Sequence, residues 1–131
     1  MYRETTRAVR VTVTPEFLPG ESQPEQSRYC WSYTIEITNM GLETVQLLTR
    51  HWQITDASGH SFEVNGDGVV GKQPVLRAGE TFTYSSGVPL ATPSGVMRGR
   101  FHMRHVDGDM RFDVTVPAFS LDSPHERPVV N

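Results

Sequence analysis

Six residues from Gly66 to Gly71 spell Gly-x-Gly-x-x-Gly, and Lys72 follows them. Glycines at that spacing let a backbone come close to a phosphate, and an adjacent lysine adds charge. In the dinucleotide fingerprint a helix begins at such a loop, and its N-terminus holds the pyrophosphate. Here Pro74 and then Gly79 arrive too soon to leave room for that helix. The stretch also nearly spells a P-loop, but Gln73 stands where a Ser or Thr hydroxyl would hold magnesium. Two readings stay open for Gly66, Gly68, Gly71 and Lys72. One is a tight connection between strands whose glycines take positive φ. The other is a nest of backbone N–H groups that binds phosphate, pyrophosphate or a nucleotide.

A second constellation is basic. Between Met97 and His105 the odd positions are mostly apolar, and the even positions are Arg98, Arg100, His102 and Arg104. Period-2 alternation sends the odd set inward and lines the four cationic side chains along one outer sheet face. Such a ladder is either a solvated face that discourages edge pairing or a docking site for an acidic partner or a phosphate-bearing ligand. The next strand should turn Met110, Phe112, Val114 and Val116 inward. A turn at Asp107-Gly108 would set Arg104 opposite Arg111 and His102 opposite Asp113. A turn at Gly108-Asp109 would set Arg104 opposite Asp113, which avoids like charges face to face and is the expected register.

Metal and catalytic chemistry find less to work with. The five histidines are dispersed. His102 and His105 fall on opposite strand faces, and no Zn-type spacing occurs. No metal ligand set is therefore assigned, although imidazoles would suit cobalt better than magnesium. There is no Gly-x-Ser-x-Gly elbow. Cys30 sits on the polar side of a strand without a cue for thiolate activation, so no catalytic residue is assigned. Arg50 is odd, because its parity matches Leu48 and Trp52. Either the strand bulges there or the guanidinium bonds backbone carbonyls at the end of a sandwich.

The elements that must position these residues are strands. Val9, Val11 and Val13 alternate with polar residues. Tyr29, Trp31, Tyr33, Ile35 and Ile37 do so more strongly, up to the turn at Asn39-Met40-Gly41. Further strands are expected over 45–56, 61–64, 81–85, 96–106 and 110–119, with loops over 15–27, 65–74 and 89–95. About seven short strands and no helical periodicity predict an all-β, two-sheet antiparallel sandwich of fibronectin type III or immunoglobulin type. A chain of 131 residues suits one domain, with a core over about 7–121 and loose ends, including the stretch after Asp122. The net charge of −3 does not favour bulk nucleic-acid or membrane-surface binding, and no apolar run is long enough to cross a bilayer. A single cysteine and a polar start at Met1 to Arg7 favour the cytoplasm.

Five motifs in order point to a family. They are Leu47 to Trp52, Gly66 to Pro74, Ala78 to Gly87, Thr92 to Gly99, and Phe112 to Leu121. From about Val9 to Leu121 the chain resembles the ApaG family, bacterial proteins whose domain also occurs in larger eukaryotic proteins, including F-box proteins. The resemblance implies a fibronectin type III-like sandwich, a link to cobalt resistance and magnesium efflux, and a genomic neighbourhood with a diadenosine tetraphosphate hydrolase. It implies no established catalytic activity. In eukaryotic relatives the domain is regarded as a protein-interaction unit, and an acidic residue is common where Lys72 stands here. The expectation is a non-enzymatic binding or adaptor domain with a protein partner. The alternatives are a phosphate, pyrophosphate or nucleotide binder at Gly66 to Lys72, and a protein that binds magnesium or cobalt ions directly.

Overall fold

The computed structural model describes residues 1–125. Nine strands follow in chain order: β1 (Tyr2–Thr6), β2 (Val9–Phe17), β3 (Tyr29–Asn39), β4 (Val45–Asp56), β5 (Ser61–Asp67), β6 (Val75–Leu76), β7 (Thr81–Leu90), β8 (Gly95–His105) and β9 (Arg111–Leu121). They form two antiparallel sheets, ordered β1-β2-β3-β7 and β5-β4-β8-β9, with β6 paired to β4. The alternation in β3 and β8 turns Trp31, Ile35, Ile37, Met97, Phe101 and Met103 into the space between the sheets, where all are buried. Each such large side chain contributes about 1.5–3 kcal/mol by leaving water.

β1 extends the fold beyond the expected core. Its hairpin to β2 turns at Arg7 and Ala8, both at positive φ (46° and 63°), as a type I′ turn requires. Neither residue is glycine or asparagine, so no turn signal precedes it. β1 also reaches the opposite sheet. The Ser120 N–H donates to the Tyr2 hydroxyl (3.2 Å) and the Thr115 N–H to Thr6 Oγ1 (3.3 Å). β2 runs through Pro15, which lies beyond the last β1 pair, Tyr2 with Val13, so its missing N–H falls on an unpaired side. β7 continues past Ser85 to Leu90, because Ser32, Cys30 and Tyr29 on β3 pair with Gly87, Pro89 and Leu90.

Two bulges reset the inward parity. β4 shifts register against β8 between Leu47 and Thr49. Val45 and Leu47 are buried before the shift, and Trp52 and Ile54 after it, while Leu48 is the extra, half-buried residue. Leu48 therefore does not share the core face with Trp52. β9 carries the other bulge, where Met97 pairs with Phe119 but Gly99 with Val116. Val116 and Phe119 are both buried as a result.

The β8–β9 hairpin adopts the Asp107-Gly108 register rather than the one that charge avoidance predicts. Arg104 pairs with Arg111 and His102 with Asp113. Like charges are tolerated because Asp109, at φ 55° in the turn, sits between them. Arg104 Nη1 donates to Asp109 Oδ1 (3.3 Å), and Arg111 Nε to the same oxygen (3.2 Å). The hydrogen bond from Arg111, reinforced by the charges of Arg111 and Arg104, holds the Asp109 carboxyl below its ordinary pKa. Met110 lies in that turn and is exposed rather than inward. His105 is half-buried, with its ring 4.8 Å from that of Phe112 and Nδ1 2.8 Å from Glu43 Oε2.

Past β9 the described chain docks rather than trailing away. Trp31 Nε1 donates to the Asp122 carbonyl (2.7 Å), and the His125 ring packs on Phe17 and Tyr29. The expected loose end includes residues 126–131, which lie outside the described residues.

Candidate functional site

The glycine segment is two structures joined. Asn65, Gly66 and Asp67 belong to β5, paired with His51, Arg50 and Thr49. Beyond them Val69 and Lys72 exchange both backbone hydrogen bonds (2.8 and 2.9 Å) across Val70 and Gly71, which sit at φ 45° and 78°. No helix follows. The bulge at Leu48 anchors this turn, since its carbonyl accepts the Gly68 N–H (2.8 Å) and the Gln73 side-chain amide (2.9 Å). The N–H groups of Gly68, Val69 and Lys72 are thus all engaged within the protein.

Each glycine has its own reason. A Cβ on Gly66 would fall 2.7 Å from Arg50 Nη1, and one on Gly68 only 2.2 Å from the Lys72 carbonyl oxygen. Gly71 meets nothing within 4 Å and is required only by its positive φ. Of the two expectations for Arg50 the second holds: the bulge lies before it, at Leu48, so Arg50 keeps the inward parity of Trp52, and its Nη1 donates to the carbonyls of Gly68 (2.9 Å) and Asp67 (3.2 Å).

Behind Arg50 lie two inward tyrosines. Burial pushes the Tyr33 phenol above its ordinary pKa, against a hydrogen bond from Ser86 and the charge of Arg50. Burial, aided by Tyr33, pushes Tyr84 far higher, again opposed by Arg50. The Tyr84 hydroxyl has no hydrogen-bond partner among the described residues. Both folded phenols stay neutral where unfolded ones ionise, near a pH of about 10. Their contribution is complete below that pH and is lost as pH rises through it, by up to about 1.4 kcal/mol per pH unit per tyrosine. Urea midpoints should therefore fall steeply above that pH, with part of the tyrosinate absorbance appearing only on unfolding. Full tyrosinate absorbance in the folded protein would contradict this.

The outer face of the second sheet holds the basic ladder as expected. Arg98 and Arg100 are exposed, and His102 and Arg104 half-buried. Register with β4 sets Arg100 beside His51 and His102 beside Thr49. His102 Nδ1 lies 2.9 Å from Asp113 Oδ1, and Arg100 Nε 3.9 Å from Asp113 Oδ2. His51 Nδ1 is hydrogen-bonded to Asn65 Oδ1, and its Nε2 lies 3.7 Å from Glu63. Arg104 is taken up by Gln46 (2.9 Å) and Asp109, while Arg98 has no ion pair among the described residues.

These side chains enclose a depression of about 540 Å³. It draws from both sequence candidates. Gly66 comes from the glycine segment and Arg100 and His102 from the ladder, joined by Arg50, His51 and Asp113. Gly68, Gly71, Lys72, Arg98 and Arg104 do not line it. Arg98 lines a neighbouring depression of about 430 Å³ that shares His51 and Arg100 with the first. Among the described residues no three His, Cys, Asp or Glu side chains gather closely enough to hold a metal ion. Among the same residues no helix is long and apolar enough to cross a membrane.

The family profile of the ApaG domain matches residues 19–105. Protein ApaG of Rhodospirillum centenum is 61% identical over 127 residues, covering 97% of each chain. The chain belongs to the ApaG family. Protein ApaG of Bradyrhizobium diazoefficiens is 59% identical over 131 residues, the full length of both. The crystal structure of a Bordetella pertussis protein described as ApaA superposes with a TM-score of 0.86 at 45% identity, covering 90% of this chain and 95% of that one.

Within this ApaG domain, sequence reasoning found Arg100, His102 and Gly66 separately but not their meeting. Parity places a residue on a face. Only the register of β4 against β5 and β8, reset by the Leu48 bulge, brings His51, Asn65 and Gly66 beside Arg100.

Proposed function

We propose that this ApaG domain is a non-enzymatic, cytoplasmic binding module that docks an anionic group of a protein partner on the outer face of β4, β8 and β9. The observation that carries this reading is the shared depression. Arg100 stands in it with two imidazoles, and only Asp67 and Asp113 oppose them. The polar groups pair with each other, His102 with Asp113 and His51 with Asn65, rather than setting a nucleophile against a base. This favours binding over turnover. The link of the family to cobalt resistance and magnesium efflux then runs through a partner rather than through a metal held here. A phosphate-bearing ligand has specific support from Gly66, whose backbone lines the depression together with Arg100.

Pyrophosphate titrated into 15N-labelled protein is expected to shift the amides of His51, Gly66, Arg100, His102 and Asp113, with an affinity that weakens as salt rises. Arg100→Ala should weaken it about tenfold, in keeping with the loss of one charge-assisted hydrogen bond. Shifts confined to Val70, Gly71 and Lys72, or none at any concentration, would sink anion docking at this face.

A further inference from the structure

The sandwich is closed on one flank and open on the other. β1 bonds across to β9, whereas the other flank is framed by β5 and β7, the last strands of their sheets. On β5, Phe62 and Val64 pair directly with Ile54 and Trp52, so they share the inward face of that sheet. Yet they are 45% and 37% exposed. Among the described residues no facing strand covers them.

The uncovered space is a notch of about 220 Å³ between β5 and β7, walled by Trp52, Phe62, Val64 and Pro89. Arg50 and Ser86 stand at its polar end. Arg50 is half-buried, uses Nη1 for two carbonyls, and has no ion pair among the described residues. An arginine removed from water is normally paired. A second depression of about 500 Å³ shares Phe62 and Pro89 and continues the groove to Leu90 and Arg28.

We propose that this groove receives the C-terminus of an extended partner peptide, its last apolar side chain in the notch and its carboxylate on Arg50. The preceding residues run over Phe62 and Pro89 toward Leu90, beside the free edge of β5. Charge and size both select this occupant. The notch lies below the roughly 300–1,000 Å³ of small-molecule sites. A terminal residue carries an apolar side chain and a carboxylate on one Cα. An internal acidic residue would sit about 7 Å from the next apolar side chain on its face, two strand residues away, too far for one small notch. Free strand edges beside an apolar groove are the usual seat of added peptide strands. A second copy of this chain fits less well, because antiparallel β5 edges would bring the Glu63 and Asp67 rows of the two copies together.

The test uses the full chain, 15N-labelled, and an acetylated tetrapeptide ending in leucine, with either a free carboxylate or a terminal amide. The carboxylate form should shift the amides of Val64, Gly66, Ser86 and Val88 and the Trp52 indole, and bind at least about tenfold more tightly than the amide, the difference of one charged hydrogen bond. Arg50→Gln should erase that preference. Since Arg50 also braces the glycine turn, Val64→Glu, at an exposed position, serves as the second variant and should abolish binding with the fold intact. Equal binding of the two forms, shifts at Arg100 and His102 instead, or self-association through β5 without peptide binding would each overturn the proposal.

Discussion

Changing Gly68 to alanine is expected to cost about 2–5 kcal/mol of folding stability, the sum of a left-handed backbone penalty and an overpacking penalty. The new Cβ would stand 2.2 Å from the Lys72 carbonyl oxygen, which the hydrogen bond from the Val69 N–H holds in place. Backbone cannot swing aside as a side-chain tip can. Gly71 supplies the internal comparison. It shares positive φ but has open space around it, so Gly71→Ala should cost only about 1–2 kcal/mol. Gly66→Ala is different again. It presses on the Arg50 guanidinium, which can move, so it should displace Arg50 at a smaller cost than Gly68→Ala. Chemical denaturation of the three variants checks the order. Equal costs for Gly68 and Gly71 would mean that the close approach at Gly68 is not real.

Trp52→Ala is expected to cost about 3–5 kcal/mol, as for other large aromatic truncations in a packed core. Against a total of about 5–15 kcal/mol for a folded domain, that removes a large share. The indole lies 5.6 Å from the Tyr33 ring, 6.2 Å from Phe101 and 6.1 Å from Phe119, which ties the two sheets together through edge-on contacts. It also covers Gly99, where a Cβ would meet Trp52 Cε3 at 2.7 Å. Because Trp52 also walls the β5–β7 notch, water can enter the space left behind, which places the cost toward the lower end of the range. A loss below about 1.5 kcal/mol by urea or thermal unfolding would show that the ring does not link the sheets in this way.

The fold was legible where alternation is unbroken. β3 and β8 each hold strict period 2, and their inward residues are those the pattern names. Legibility ended where an extra residue or a remote partner intervenes. At Leu48 the alternation of Val45 and Leu47 gives way to that of Trp52 and Ile54, and an apolar residue at the joint hides the slip. At the β8–β9 turn, pairwise charge avoidance chose the wrong register because it omitted Asp109, which serves both Arg104 and Arg111. β1 was invisible because its turn at Arg7 and Ala8 uses ordinary residues at positive φ. The candidate site was half legible. Arg100 and His102 follow from parity, whereas their approach to Gly66 and His51 depends on pairings between distant strands that no local pattern encodes. The open β5–β7 flank was hidden for a related reason, since alternation puts Phe62 and Val64 on one face of β5 but cannot tell whether a strand of the other sheet covers that face.

The bonds from Ser120 and Thr115 to Tyr2 and Thr6 also bear on synthesis. A ribosome releases the first strand long before the last one exists. The β1–β2 hairpin can close at once, but the flank it seals must wait until more than a hundred further residues have emerged. Until then the nascent sandwich exposes apolar surface on both flanks, so the flank that β1 seals is closed only after β9 has emerged.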